Sequence, residues 1–227
     1  MNKKTKIKTA ADLLMSAALP VLMCYSLITE TAHEIVGLVM FALFILHHIL
    51  NFGWTKALFK GKYPPKRIVG TAINALVLIC MLGQMYSSLV ISKHIFTFLD
   101  LSGAGFARTV HLLCAYWGFA MMSVHLGMHL RQIAARLKLK SGKLRIALLI
   151  VFSVIAALGV YEFIQLGLFG YMFGQVQFVF IDTSVPAVVA ALRYICAMVL
   201  FAEVGYLADR LLSAKTGGNN KDSHIIG

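Results

Sequence analysis

His33-Glu34-Ile35-Val36-Gly37-Leu38-Val39-Met40-Phe41-Ala42-Leu43-Phe44-Ile45-Leu46-His47-His48 is an apolar run with an imidazole at each end. A second apolar run, from His111 to His125, repeats the fourteen-residue interval. At roughly 100° and about 1.5 Å per helical residue, fourteen steps fall about 40° short of whole turns and about 21 Å further on. Both histidines of a pair therefore look out of nearly the same helix face. They lie near opposite sides of a membrane core about 30 Å thick.

The rest of the 227 residues agrees with a membrane setting: 59% are apolar and the mean hydropathy is +0.81. A soluble domain of this size cannot hide so much apolar surface. Runs near 18 apolar residues with few charges read as transmembrane helices. Six are expected, over 10–29, 33–53, 67–92, 107–130, 144–168 and 185–211. Glu30-Thr31-Ala32 makes a tight hairpin between the first two. Pro64-Pro65 closes the second loop, Leu101-Ser102-Gly103-Ala104-Gly105 introduces the fourth helix, and Gly167, Gly170 and Gly174 loosen the chain before the last. Asp182 to Pro186 reads as a helix start, with Ser184 as N-cap and Pro186 in the first turn. The fold expected is all-α: a six-helix transmembrane bundle. Residues 1–9 form a basic tail, 10–211 one transmembrane domain, and 212–227 a polar tail.

The net charge of +12 invites a nucleic-acid reading, but its distribution excludes one. All but three of the 21 Lys and Arg residues flank the spans. Lys3, Lys4, Lys6 and Lys8 precede the first helix, and Lys56, Lys60, Lys62, Lys66 and Arg67 fill the second loop. Arg131, Arg136, Lys138, Lys140, Lys143 and Arg145 fill the fourth; Arg210, Lys215 and Lys221 close the chain. Lys93, Arg108 and Arg193 belong to the other side. Positive charge sets orientation and meets anionic lipid. Both termini are therefore expected in the cytoplasm, with the protein multi-pass in a bacterial inner membrane. The first stretch, with Pro20 at its centre and no small-x-small site from Cys24 to Thr29, reads as a retained helix rather than a signal peptide.

One span separates the two histidine-bearing helices, so both run from outside to inside. His33 then faces His111 at the outer level, and His47 faces His125 at the inner level. Neutral imidazoles are good axial ligands, and two per iron give a centre suited to electron transfer. The four histidines are thus the expected metal ligands of two stacked b haems, held in a haem-binding four-helix core of the bundle. His48 and His129 remain alternatives to His47 and His125; His129 also stands where a quinone or a propionate would reach. Arg108, three residues before His111, and Arg193 suit outer propionates. Arg131, with basic residues around Lys56, suits the inner one. Gly37, Gly118 and Gly127 would let a macrocycle approach the backbone, or serve helix packing. Glu34 is a helix-start charge or an imidazole orienter. Glu162 and Glu203 are intramembrane acids that would pair with Arg193 or line a proton path. His94 and His224 read as exposed. Trp54 fits an interfacial anchor, and Met121-Met122 fits apolar packing.

Other chemistries lack their residues. Cys24, Cys80, Cys114 and Cys196 stand in separate apolar runs, without a CxxC or a c-type haem motif, and read as structural thiols. There is no glycine-rich dinucleotide loop, no Walker loop and no Ser/His/Asp arrangement. No soluble stretch is long enough to bind NAD(P)H or FAD, so the electron donor and acceptor are separate molecules.

With the segment His33 to Asn51 and the segment His111, Ala115-Tyr116-Trp117-Gly118, His125 and His129, the chain resembles the superfamily of di-haem, cytochrome b-type integral membrane proteins. That group includes quinol-oxidising cytochrome b, the membrane cytochromes of hydrogenases and formate dehydrogenases, and ferric-reductase-like proteins. The likeness is nearer to a bacterial branch of it and covers the second to fourth helices. It implies electron passage between the quinone pool or a cytoplasmic redox donor protein and an extracytoplasmic acceptor, such as an exported flavin-carrying protein. The chain departs from larger relatives in lacking an attached FAD/NAD domain and a recognisable quinol motif. Two other readings stay open: a haem-free proton-linked transporter or sensor, and a membrane anchor subunit of a dehydrogenase complex.

Overall fold

A computed structural model describes residues 3–25, 28–136, 142–179 and 185–222, with side chains as far as Ala214. Asp182, Ser184, Lys138, Lys140 and His224 lie outside the described residues, as do the side chains of Lys215 and Lys221. The protein is all-α: α1 (Lys3–Met23), α2 (Glu30–Leu50), α3 (Phe52–Ala57), α4 (Pro65–Ile91), α5 (Ala104–Arg136), α6 (Gly142–Gln165), α7 (Leu168–Met172) and α8 (Ala187–Asp222). Among the described residues there is no strand.

Five helices, α2, α4, α5, α6 and α8, are long and apolar enough to cross a membrane, so this is a multi-pass membrane protein. The 21 residues of α2 rise about 31 Å, the thickness of the hydrocarbon core. Along α6, Ile146, Ile150, Val154, Leu158, Tyr161 and Ile164 are each more than half exposed. That stripe would be a liability in water and is the normal surface in lipid.

The first expected span differs from the other five. Lys6, Lys8 and Asp12 fall in every eighteen-residue stretch of α1, and this charge keeps it out of the spanning set. Residues 3–9 of the expected basic tail are its first two turns. Likewise α8 continues to Asp222, so most of the expected C-terminal polar tail is helical.

Several boundaries move for local reasons. Glu30-Thr31-Ala32 is the first turn of α2 rather than a hairpin loop, because the Thr29 side chain accepts the Ala32 N–H at 3.2 Å and caps the helix there. Pro65 opens α4, where its missing N–H costs nothing. Gly103 at φ +96° turns the chain into α5. Pro186 stands just before α8 and accepts the Ala190 N–H at 3.1 Å.

The chain forms two compact units. The first comprises residues 1–62, 81–115 and 170–194; the second comprises 63–80, 116–169 and 195–227. In the first, α1 and α2 make an antiparallel hairpin in contact along its length. Tyr25 Oη donates to Glu30 at 3.0 Å and its ring meets the His33 ring at 5.1 Å near the turn. Asp12 meets His47 at the far end. In the second unit small residues bring helices together. A Cβ on Gly127 would strike the Ala202 carbonyl, one on Gly205 the Val124 carbonyl, and one on Gly159 the Cys196 carbonyl. Main chains of α5 and α8, and of α6 and α8, therefore run in contact, as membrane helices do where small residues let them.

Candidate functional site

His33 and His111 come together in the first unit. Their ring centroids are 6.2 Å apart, with 60° between the ring planes. Metal–imidazole bonds of about 2 Å, plus about 1.1 Å from each nitrogen to its ring centre, put two rings sharing one metal about 6 Å apart. The separation therefore fits a single iron between them.

The hydrogen bonds around His111 also suit a ligand. Ser87 Oγ donates its one proton to the Gln84 carbonyl at 3.0 Å and lies 3.1 Å from His111 Nδ1. With that proton on the Gln84 carbonyl, the hydroxyl accepts and the ring proton belongs on Nδ1; with it turned to the imidazole, Nδ1 is the acceptor. In the first arrangement Nε2 keeps the lone pair a metal requires. Gln84 Nε2 donates to the His111 carbonyl at 2.9 Å, so α4 holds both the ring and the backbone of this residue. Ser87 is fully buried. On the facing ring, His33 Nδ1 is buried with no hydrogen-bond partner. An unmet buried ring nitrogen is costly, and coordination at that nitrogen would supply its partner. One turn further along α2, Gly37 borders open space.

The ends of this unit carry the charges. Arg108 is exposed one turn before His111, and Arg193 is half-buried near the start of α8. Glu34 does not orient an imidazole. It accepts from Ser92 Oγ and Lys93 N at 2.8 Å, Ile95 N at 3.0 Å and His94 N at 3.3 Å, closing the turn after α4. Lys93 Nζ donates to Glu30 at 2.8 Å, and that bond holds the ammonium above its ordinary value. His94 Nε2 lies 3.7 Å from the same carboxylate.

His47 and His48 part company. His47 Nδ1 lies 2.7 Å from Asp12 Oδ1, and a carboxylate can only accept when ionised, so it fixes the ring proton on Nδ1. His48 is exposed, bonds its own helix at the Phe44 carbonyl (3.0 Å) and lies against the Phe44 ring at 4.2 Å with the planes tilted by 53°. Of the two, His47 has the environment of an oriented ligand. His125 and His129 belong to the second unit, on successive turns of α5, with ring centroids 4.7 Å apart.

Elsewhere in the second unit, Arg131 is 3.3 Å from Asp209, which Lys66 also meets at 2.6 Å. Its charge is thus already engaged. Glu203 accepts from Ser153 Oγ at 2.8 Å, and its other oxygen is buried without a partner. Gly127 and Gly118 serve helix packing: the first meets Ala202 backbone, and a Cβ on the second would stand 3.3 Å from Cys80 Cβ. All four cysteines are free. Among the described residues no three His, Cys, Asp or Glu side chains gather as a metal-ion site.

Asp12, Gln84, Ser87 and Asp209 were not singled out by the sequence. Asp12 carried a signal, a lone acid inside an otherwise apolar span, where charge is costly without a partner. Ser87 and Gln84 carried none, because Ser and Gln are unremarkable near the end of a membrane helix.

No protein-family model, curated protein or solved structure matches the chain.

Proposed function

We propose that the chain carries electrons across the bacterial inner membrane through two b haems, the outer held by His33 and His111 and the inner by His47 and His125. The observation that carries this reading is the His33–His111 pair: 6.2 Å between ring centres, with the Ser87 hydroxyl 3.1 Å from Nδ1 of one ring. Bound haem would supply one-electron redox chemistry at a bis-imidazole centre. The protein's own part is to hold imidazoles in the right tautomer, to exclude water with apolar helices, and to place cations where propionates emerge. Arg108 and Arg193 fill that last role on the outer side; Arg131, bonded to Asp209, is less available for it.

The inner level rests on the repeated spacing and on Asp12 orienting His47. Both termini are placed in the cytoplasm by the distribution of Lys and Arg. Electrons would enter from quinone or a cytoplasmic redox donor protein and leave to an extracytoplasmic acceptor, for which an exported flavin-carrying protein is suited.

A reduced-minus-oxidised absorption spectrum of the detergent-purified protein, with pyridine-haemochrome stoichiometry, tests the proposal. About two b haems per chain is the expected result. A folded but colourless protein, made with haem available, would overturn it. The buried, unpartnered oxygen of Glu203 would then favour a proton-linked transporter or sensor. Turnover found only in company with a co-purifying dehydrogenase would make the chain its membrane anchor subunit.

A further inference from the structure

Where α5 ends and α6 begins, the second unit holds a cavity of about 590 Å³. Arg131, Arg145 and Arg210 line it together with Tyr206, Ser213 and Leu149. No carboxylate is among its described lining residues. The neighbouring acid, Asp209, is 3% exposed and already meets both Lys66 and Arg131. Arg145 and Arg210 are exposed and have no ion-pair partner among the described residues. The cavity is therefore positively charged, with two guanidinium groups free of ion pairs among the described residues and a phenol at Tyr206, while the Ser213 hydroxyl already donates to the Asp209 carbonyl at 2.7 Å.

Its other wall is apolar. Leu149 and Ile146 lie one turn apart on the same helix, leading from the charged rim along α6, whose next turns carry exposed Ile150 and Val154. Cations at one end and a lipid-facing apolar strip leading away from them match a two-part ligand: an anionic headgroup with acyl chains. Guanidinium recognises phosphate oxygens bidentately, better than an ammonium does. Basic pockets between membrane helices at the interface bind phospholipid headgroups for this reason.

We infer that the cavity between the ends of α5, α6 and α8 is a binding site for the phosphodiester headgroup of an anionic phospholipid, held by Arg145 and Arg210 with its chains along Ile146 and Leu149. The site stands apart from the electron-transfer reading and needs no haem.

The test uses delipidated full-length protein in neutral detergent. Phosphatidylglycerol, phosphatidylcholine and inorganic phosphate are titrated separately, with bound lipid counted by native mass spectrometry and stability followed by thermal unfolding. Phosphatidylglycerol is expected to bind in preference to phosphatidylcholine and to raise the melting temperature. At about 1 kcal/mol for each basic residue near anionic lipid, Arg145→Gln or Arg210→Gln should weaken its binding about fivefold. The double variant should weaken it about thirtyfold, with lipid-free helix content unchanged. Equal binding of the two lipids by the wild-type protein would overturn the inference, as would single variants that keep full phosphatidylglycerol affinity. If inorganic phosphate alone reproduced the stabilisation and competed with the lipid, the site would be one for soluble phosphate and the lipid assignment would fail. The wild-type comparison and the single variants decide the matter even if the double variant does not fold.

Discussion

Asp12 Oδ1 stands 2.7 Å from Nδ1 of His47, across the α1–α2 hairpin and 35 residues away in the chain. The register of the hairpin produces the meeting: Tyr25 opposite His33 at one end fixes Asp12 opposite His47 at the other. The comparable contact on His111 is a neutral hydroxyl at 3.1 Å. A carboxylate on a ligand's Nδ1–H increases the ring's basicity more than a hydroxyl does and so favours the oxidised metal.

Asp12→Asn is therefore expected to keep both haems and raise the reduction potential of the inner one. Charged and neutral hydrogen bonds differ by about 1 kcal/mol, which corresponds to about 40 mV for one electron. Spectroelectrochemical titration of wild type and variant would resolve this. A wild-type inner haem with the higher potential would contradict the assignment of the carboxylate to that site.

Ser87→Ala removes the acceptor for His111 Nδ1–H and leaves nearly the same volume. A buried hydrogen bond lost with its donor stranded costs about 1–3 kcal/mol. The outer haem is expected to be lost more readily on dilution, with its absorption band broadened and the inner one unchanged. Ser87→Thr, which restores the hydroxyl, should recover the wild-type spectrum. Equal loss of both haems from the Ala variant would break the two-level arrangement.

Five of the six expected spans and the meeting of His33 with His111 were legible in the sequence, because hydropathy and a 3.6-residue period are local signals. The pairing of His33 with His111 followed from spacing and a count of spans. What the sequence hid depends on register between helices. Glu34, adjacent to His33, reads as its natural partner, yet it folds back on the backbone of residues 93–95. Gly127 stands two residues after His125, yet its face of the helix is taken up by the Ala202 backbone. Thr29 moved the start of α2 three residues earlier than the polar Glu30-Thr31-Ala32 suggested, because a cap is worth more than the polarity of a first turn.

The glycines divide into tolerant and intolerant positions. Gly127→Ala places a Cβ into the Ala202 carbonyl, with backbone on both sides and no flexible side chain to yield. Overpacking of this kind costs about 1–3 kcal/mol. A lower melting temperature and poor recovery from the membrane are expected. Gly37→Ala meets nothing within 4 Å and gains up to about 1 kcal/mol of helix propensity. Thermal unfolding of the two haem-free variants side by side checks the contrast; equal melting temperatures would mean that α5 and α8 do not touch at Gly127.

Asp209 anchors the other end of that helix pair. It is 3% exposed, with Lys66 at 2.6 Å and Arg131 at 3.3 Å. Breaking a fully buried pair costs about 3–5 kcal/mol, but the two cations here are 41% and 44% exposed and water screens them. Asp209→Asn is therefore expected to destabilise by about 1–3 kcal/mol, less than a fully buried pair would. Lys66 also donates to Ser213 Oγ at 3.0 Å, so it keeps a partner when the carboxylate goes. Arg131 has less to fall back on and becomes a third free guanidinium at the α5–α6 cavity. Phosphatidylglycerol binding to Asp209→Asn should accordingly tighten while the lipid-free protein melts earlier. Those two changes, in opposite directions, separate the loss of an ion pair from general unfolding, which would lower both.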